Sequence, residues 1–521
     1  MYITQSLKRN AQLYPKKVAT SFNERTFTWE ESLKRISKLA SGIKKLGVNL
    51  EDRVAILAHN SDRYFEFIYS VSWLGGVFVP INTRLAPPEI QFWINDSESK
   101  VIFVDSNFSN VVDNLIKENK IPSIEKVVYI SDDAVPENMV KYEDLLSSES
   151  IDDKMRGYDD LAGIFYTGGT TGRSKGVMLS HTNMVINAFN GAVSGDFGPH
   201  SRWLHAAPMF HIADCAGLFG ISQAGGSHYF IPGFVPKLFF EAVSKNKINE
   251  TILVPTMVNM AVNDPEVKNY DLSCLRKIMY GASPMPEPVI VKAMEMLPNC
   301  TFYHAYGQTE CAPLLTFSGP ETHVFEGPLA YKFKSCGQAV PGVELKIADE
   351  NGNEVKTGEV GEIYARGPNI MLGYWKQEDL TKKAISEDGW MRTGDGAKMD
   401  ENGYVFIVDR VKDMIISGGE NIYSTEVENS IYELPDVLEC AVIGIPDEKW
   451  GEVVHAIVRL KEQGSIEDKD IIDHCHKNIA GFKCPKSVSF RSDPMPVSGA
   501  GKILKTELRK PFWKDQAKQV N

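Results

Sequence analysis

The densest chemistry in the sequence lies in the run Tyr166-Thr167-Gly168-Gly169-Thr170-Thr171-Gly172-Arg173-Ser174-Lys175-Gly176. Glycines let backbone N–H groups approach an anion closely, threonine hydroxyls add donors, and Lys175 adds positive charge. Together these residues make a cradle for phosphate. The spacing is not that of a P-loop, because no Gly-Lys-Ser/Thr follows a glycine at the required offset, and Gly-x-Gly-x-x-Gly is also missing. A surface turn without a ligand is the alternative reading of this stretch taken alone.

Segments downstream could complete such a site. Tyr306-Gly307-Gln308-Thr309-Glu310 joins an aromatic face, able to stack on a base, to a carboxylate able to hold Mg2+ against phosphates. Trp390-Met391-Arg392-Thr393-Gly394-Asp395 ends in a carboxylate after a turn, suited to two ribose hydroxyls. Asp409-Arg410-Val411-Lys412-Asp413 crowds four charges into five positions, and Pro496-Val497-Ser498-Gly499-Ala500-Gly501-Lys502-Ile503 sets one lysine in a glycine-rich loop. Singly, each has a plainer reading: Tyr306 as core, the 409–413 run as a solvated linker, Lys502 as a surface lysine.

The elements that must hold these segments follow from periodicity. The phosphate run follows a strand pattern over Leu161 to Phe165. Thr28 and Glu31 form a capping-box pattern before Leu33, Ile36, Leu39, Ala40, Ile43 and Leu46, which recur at helical spacing until Gly47. Arg53 to Leu57 reads as a buried strand, Tyr64 to Trp73 as a helix, and Gly76 to Val79 as another strand. Such alternation predicts parallel sheets covered by helices. After about residue 335 the pattern changes to alternating strands (343–347 and 361–365) with turns at Asn351-Gly352 and Asn402-Gly403, a small antiparallel region. A third zone carries helices at 424–434 and 468–478 and strands at 438–443 and 453–460, enough for its own core, with a boundary at about 410–413.

Composition bounds the function. The 521 residues exceed a single core, and 43% hydrophobic with 24% charged residues describes a globular chain of more than one domain. A net charge of −12 argues against a nucleic-acid partner. The eight cysteines never fall as Cys-x-x-Cys and read as reduced packing residues, and His474-Cys475-His476 lacks a second ligand pair for a metal. The apolar stretch from Val71 to Ile81, broken by Gly75, Gly76 and Pro80, is too short to cross a bilayer, and neither terminus carries a targeting pattern. A cytoplasmic location is expected.

Taken in this order, the five segments resemble the acyl-adenylate-forming (ANL) superfamily, which contains acyl-CoA synthetases, nonribosomal peptide adenylation domains and beetle luciferases. The resemblance runs from the N-terminal helix to Lys502. It implies an α/β fold with a large multi-layer N-terminal domain (1–409) of βαβ sheets and a small β region. A hinge (410–413) and a small mobile α+β C-terminal domain (414–521) carrying the lysine would complete it. It implies two half-reactions: a carboxylate attacks the α-phosphate of ATP to give acyl-AMP and pyrophosphate, then the thiol of coenzyme A displaces AMP. ATP, Mg2+ and coenzyme A are the implied cofactors, and no covalent enzyme nucleophile is needed, so catalysis would rest on positioning and charge stabilisation.

Carried over by residue, Thr167, Gly168, Gly169, Thr170, Thr171, Gly172 and Lys175 would hold the β- and γ-phosphates. Tyr306, with Gly307 and Thr309 beside it, would stack on adenine, and Gly281, Ala282 and Ser283 would line the ring's edge. Glu310, with Thr170, would position Mg2+; Asp395 and Arg410 would bind the ribose. Lys502 would reach the carboxylate and α-phosphate oxygens. Rotation at Lys412 would then withdraw Lys502 and bring Gly418, Gly419 and Glu420 to the thiol side. The sequence departs from the family at Gly168, where serine is common, at Ser174, where proline is common, and at Ser498, where threonine is usual. A homodimer is also carried over from the family.

The acyl group is expected beside Pro208-Met209-Phe210-His211-Ile212-Ala213, with His211 shaping the pocket or gating the thiol tunnel, or else simply buried. Met257, Ala282, Ala305 and Leu314 are expected as apolar walls, and no Asp/Lys pair for an α-amino acid is evident. A medium- or long-chain fatty acid–CoA ligase is therefore the leading expectation. An aryl acid–CoA ligase of the coumarate or benzoate type, or a stand-alone adenylation enzyme loading a carrier protein, are the alternatives.

Overall fold

The computed structural model describes residues 1–167, 174–283, 285–410, 413–417, 420–447, 449–499 and 501–513, without the side chains of 409, 410 and 421. The predicted α/β class holds. Among the described residues the strands form four sheets. The largest has nine strands, and the run from Val18–Phe22 through Ser227–Phe230, Arg202–His205, Glu250–Leu253 and Lys277–Gly281 to Thr301–Gly307 is parallel throughout. The second has eight, with Val140–Lys141, Lys126–Tyr129, Val101–Val104, Arg53–Leu57, Val77–Pro80 and Leu161–Thr167 in parallel succession.

Parallel strands are buried on both faces, and helices supply the cover. Helix Asp62–Leu74, capped by the Ser61 side chain and ended by Gly75 at φ 84°, is buried at every residue. It belongs to one core with Phe78 and Phe165 of the second sheet and Phe230 of the first, so it lies between the sheets. Helix Ile212–Ala224 contributes Cys215, Leu218 and Phe219 to that core. Separate cores cover the outer faces: Phe239, Val258 and Ile290 on the first sheet, Trp93, Ile94 and Val112 on the second. The all-buried helix carries Glu66, which is affordable because Arg35 donates to it at 2.6 Å and 3.1 Å and Tyr142 at 2.6 Å. The Thr28–Glu31 capping box forms as the sequence predicts, opening helix Trp29–Lys45.

Strands Glu344–Ala348, Gly361–Arg366, Met391–Met399 and Val405–Arg410 make the predicted small antiparallel sheet. The last sheet pairs Ile415–Ser417, Glu420–Ile422, Val437–Asp447, Gly451–Leu460 and Ser487–Phe490. Helices Ser424–Tyr432 and Asp468–Asn478 close over it through Val427, Ile431, Ile471 and Cys475, a core of its own.

Candidate active site

In an open parallel sheet the loops beyond the carboxyl ends of the strands share one edge, the usual place for a ligand. The loops after Arg202–His205, Glu250–Leu253, Lys277–Gly281 and Thr301–Gly307 share that edge of the first sheet. Those after Arg53–Leu57, Val77–Pro80 and Leu161–Thr167 share it in the second. Asn60 stitches the two edges together: its amide donates to the carbonyls of Ala207 (2.8 Å) and His205 (3.2 Å) and accepts from Met209 N–H (2.8 Å).

The two ends of the phosphate run lie on paired strands. Leu161–Thr167, which runs on to Thr167 where the pattern ended at Phe165, pairs antiparallel with Lys175–Ser180 and sets Thr167 opposite Lys175. Gly168, Gly169, Thr170, Thr171 and Gly172 lie outside the described residues. Tyr166 anchors the hairpin from behind, stacked on Trp93 with ring centroids 4.9 Å apart and donating to Asp96 at 2.6 Å.

Tyr374 joins the hairpin to Glu310. Strand Gly373–Tyr374 pairs with Val177 and Met178; the Lys175 ammonium lies 4.9 Å from the centre of the Tyr374 ring, and the phenol donates to Glu310 Oε1 at 2.9 Å. Burial, then the Glu310 charge, push the phenol's pKa up, so it remains a donor. Two expected site residues thus meet through one that the sequence reading did not name. Nothing in a lone Gly-Tyr-Trp marks such a bridge; only the pairing of distant strands makes it.

Tyr306 donates to Asp395 Oδ2 at 2.8 Å, uniting the expected base and ribose residues, and Asp395 N–H in turn donates to Thr393 Oγ1 at 3.2 Å. Asp395 faces Arg410 across the strand pair, although the Arg410 side chain lies outside the described residues, as does Lys412. Gly281 and Gly307 have a reason of their own: a Cβ at the first would overlap the Ala305 carbonyl oxygen, and at the second the Pro313 carbonyl oxygen. Thr309 is buried, Ser283 half-buried, and Ala282 exposed at φ 68°. Of the expected acyl walls, Met257 and Leu314 fall in different cores.

The Lys502 loop lies across both edges. Arg84, just beyond Val77–Pro80, donates to the Ser498 carbonyl at 2.9 Å; Gly499 abuts Asn82, and Gly501, at φ 79°, abuts Val254 and Thr256. Within the loop, Ser498 N–H donates to the Lys502 carbonyl at 2.7 Å and Ser498 Oγ accepts from Lys502 N–H at 3.2 Å. Glu420 is exposed on a hairpin opposite Ser417, in a sheet that contributes none of these strand ends, and Gly418 and Gly419 lie outside the described residues. His211 caps helix Ile212–Ala224, its Nδ1 accepting from Ala213 N–H at 3.2 Å, and burial pushes its imidazole down to about 4. It is therefore neutral with its proton on Nε2.

Residues 7–375 match the family described as AMP-binding enzyme, and residues 426–502 match the AMP-binding enzyme C-terminal domain. The chain belongs to the AMP-binding enzyme family. The large N-terminal and small C-terminal domains of the acyl-adenylate-forming superfamily are thereby present, as the sequence resemblance implied. It is 36% identical over 508 residues to a feruloyl-CoA synthase of Amycolatopsis sp, covering 97% of this chain and 98% of that protein. It is 34% identical over 478 residues to the long-chain-fatty-acid–CoA ligase FadD13 of Mycobacterium tuberculosis, covering 91% of each. Among solved structures, the anthranilate CoA ligase AuaEII in complex with anthranoyl-AMP superposes with a TM-score of 0.90 at 25% identity, covering 98% of this chain and 97% of that one.

For a family whose substrates carry phosphates, the one described donor near Lys175 is of the type a hard divalent cation takes. Glu310 is a carboxylate with one oxygen engaged by Tyr374, and oxygen donors of this kind are what Mg2+ takes.

Proposed function

We propose that this protein, an AMP-forming acid–CoA ligase, takes an apolar carboxylic acid of the aryl class. A medium- or long-chain fatty acid is the second reading. The observation that carries the ligase chemistry is the Lys502 loop seated on Asn82, Arg84 and Val254, at the edge that also bears Lys175 and Glu310. Such a seat lets one mobile amine serve a site built by another domain.

In the first step an acid oxygen bonds to the α-phosphorus and the bond to pyrophosphate breaks. Two anions approach each other, and like charges ~4 Å apart repel by about 4 kcal/mol at an effective dielectric of 20. Lys502 offsets that repulsion, while the hairpin backbone and Lys175 hold the leaving pyrophosphate. Glu310 and Thr170 would hold Mg2+, which supplies charge neutralisation at the phosphates when bound. Tyr306 holds Asp395 for the ribose, and Gly281 to Ser283 flank the base. In the second step the coenzyme A sulfur bonds to the acyl carbon and AMP leaves. Rotation about 410–413, with Lys412 as the pivot, exchanges the Lys502 loop for the segment Gly418-Gly419-Glu420.

The acid's tail lies along Pro208 to Ala213, where Met209 is fully buried, Phe210 nearly so, and His211 adds an uncharged donor. No charge there matches a polar tail. The sequence alone favoured a fatty acid; the first reading passes to aryl acids because a feruloyl-CoA synthase and an anthranilate CoA ligase are among the similar proteins, while FadD13 supports the fatty reading. The test is AMP release with ATP, coenzyme A and a panel of aryl, fatty and amino acids. Turnover highest with aryl acids supports the reading, and AMP formed only with an acyl-carrier protein overturns it.

A further inference from the structure

Behind the 206–213 segment lies a polar chain that the reaction does not use. His205 Nδ1 is 2.6 Å from Asp214 Oδ2, His205 Nε2 is 3.0 Å from His228 Nδ1, and His228 Nε2 is 3.0 Å from Ser222 Oγ. All four residues are fully buried. The two imidazole planes are nearly parallel with ring centres 5.3 Å apart, as their shared hydrogen bond requires, and His205 stacks on Phe230 at 4.9 Å.

Its placement is what matters. His205 ends the strand Arg202–His205 and so stands immediately before the segment; Asp214 lies in the first turn of helix Ile212–Ala224 and so stands immediately after it. Their hydrogen bond closes the loop at its base. Ser222, near the other end of the same helix, is reached through His228 on the neighbouring strand Ser227–Phe230. One chain of hydrogen bonds therefore fixes the helix to two strands at both of its ends. Asn60 holds the loop's middle through Ala207 and Met209. A buried carboxylate–imidazole pair costs desolvation, which raises the Asp214 carboxyl above its ordinary range and pushes His228 down. Apolar residues of similar volume would pack the same space without that cost, so stability alone does not account for the chain.

We propose that His205, Asp214 and Asn60 are positioning residues for the acid substrate, clamping the ends and the middle of the 206–213 segment so that Phe210 and the His211 donor keep one arrangement. The inference rests on the acid lying along that segment. A loop freed at its base adds side-chain and backbone disorder that binding must then remove, and displacements of about 1 Å cost up to ~100-fold in rate.

The test is Asp214→Asn, which keeps the volume and an acceptor for His205 but removes the charge. Expected are a kcat/KM for the acid lowered about tenfold through KM, a KM for ATP changed less than about twofold, and faster amide hydrogen exchange across 206–213. Should this variant not fold, Asn60→Ala carries the same expectations from outside the histidine chain. Unchanged exchange across 206–213 overturns the clamp. Loosened exchange with equal losses for acid and ATP overturns the positioning role. His211→Ala separates the failures: if it too leaves the acid's KM untouched, the fault lies in placing the acid along this segment.

Discussion

Arg84 donates to the Ser498 carbonyl oxygen at 2.9 Å, joining positions 414 residues apart. The contact ties the loop that carries Lys502 to the strand edge beside the phosphate hairpin. Arg84→Ala should lower ATP–pyrophosphate exchange by about threefold to tenfold, the worth of one exposed hydrogen bond from a charged donor. Thioester formation from supplied acyl-AMP should be unaffected. A loss shared equally by both steps would count against a seat used only in adenylation.

Lys502→Ala should all but abolish pyrophosphate exchange, since nothing else on the loop offsets the two approaching anions. Stopped-flow of the variant with preformed acyl-AMP and coenzyme A should still yield thioester at near the wild-type rate. Comparable damage to both half-reactions would be incompatible with an amine that leaves after the first.

Tyr374→Phe keeps the ring beside Lys175 and removes the donor to Glu310. The KM for ATP and the Mg2+ concentration at half-maximal rate should rise about tenfold or more, one lost hydrogen bond to a charged group. Tyr374→Leu, which also removes the ring, should rise further. Identical values for the two variants would assign no part to the aromatic face.

Gly307→Ala should destabilise the fold by about 2–4 kcal/mol, because its Cβ overlaps a backbone carbonyl that cannot move without the strand. Urea unfolding without nucleotide measures this. A stable variant with impaired ATP binding would instead mean that the glycine serves the ligand alone.

Burial pushes the His211 imidazole down from near 6.5 to about 4. At pH 5 roughly one imidazole in ten is then charged, and the fraction falls further as pH rises. The acid's kcat/KM should show no inflection from His211 between pH 5.5 and 8, and His211→Gln, a neutral donor, should give a profile of the same shape. An inflection near pH 6.5 that disappears in the variant would show that the ring is solvated.

The sequence by itself determined the class of fold and named the candidate residues of the site. The Thr28–Glu31 cap, the buried run Arg53–Leu57 and the alternating strands after residue 335 are local patterns, so their elements appear where the periodicity places them. The order of the phosphate run, Tyr306 to Glu310, Asp395 and Lys502 was likewise legible, because residue type and order along the chain are one-dimensional. Only the tertiary structure decided which residues meet. Tyr374 reaches Glu310 because a two-residue strand pairs with Lys175–Ser180; Arg84 reaches Ser498 because the loop carrying Lys502 seats on a strand edge, and His205 reaches Asp214 because the helix after the 206–213 loop packs back beside its own strand. Those meetings depend on sheet order and helix packing, which long-range burial sets and no local spacing encodes.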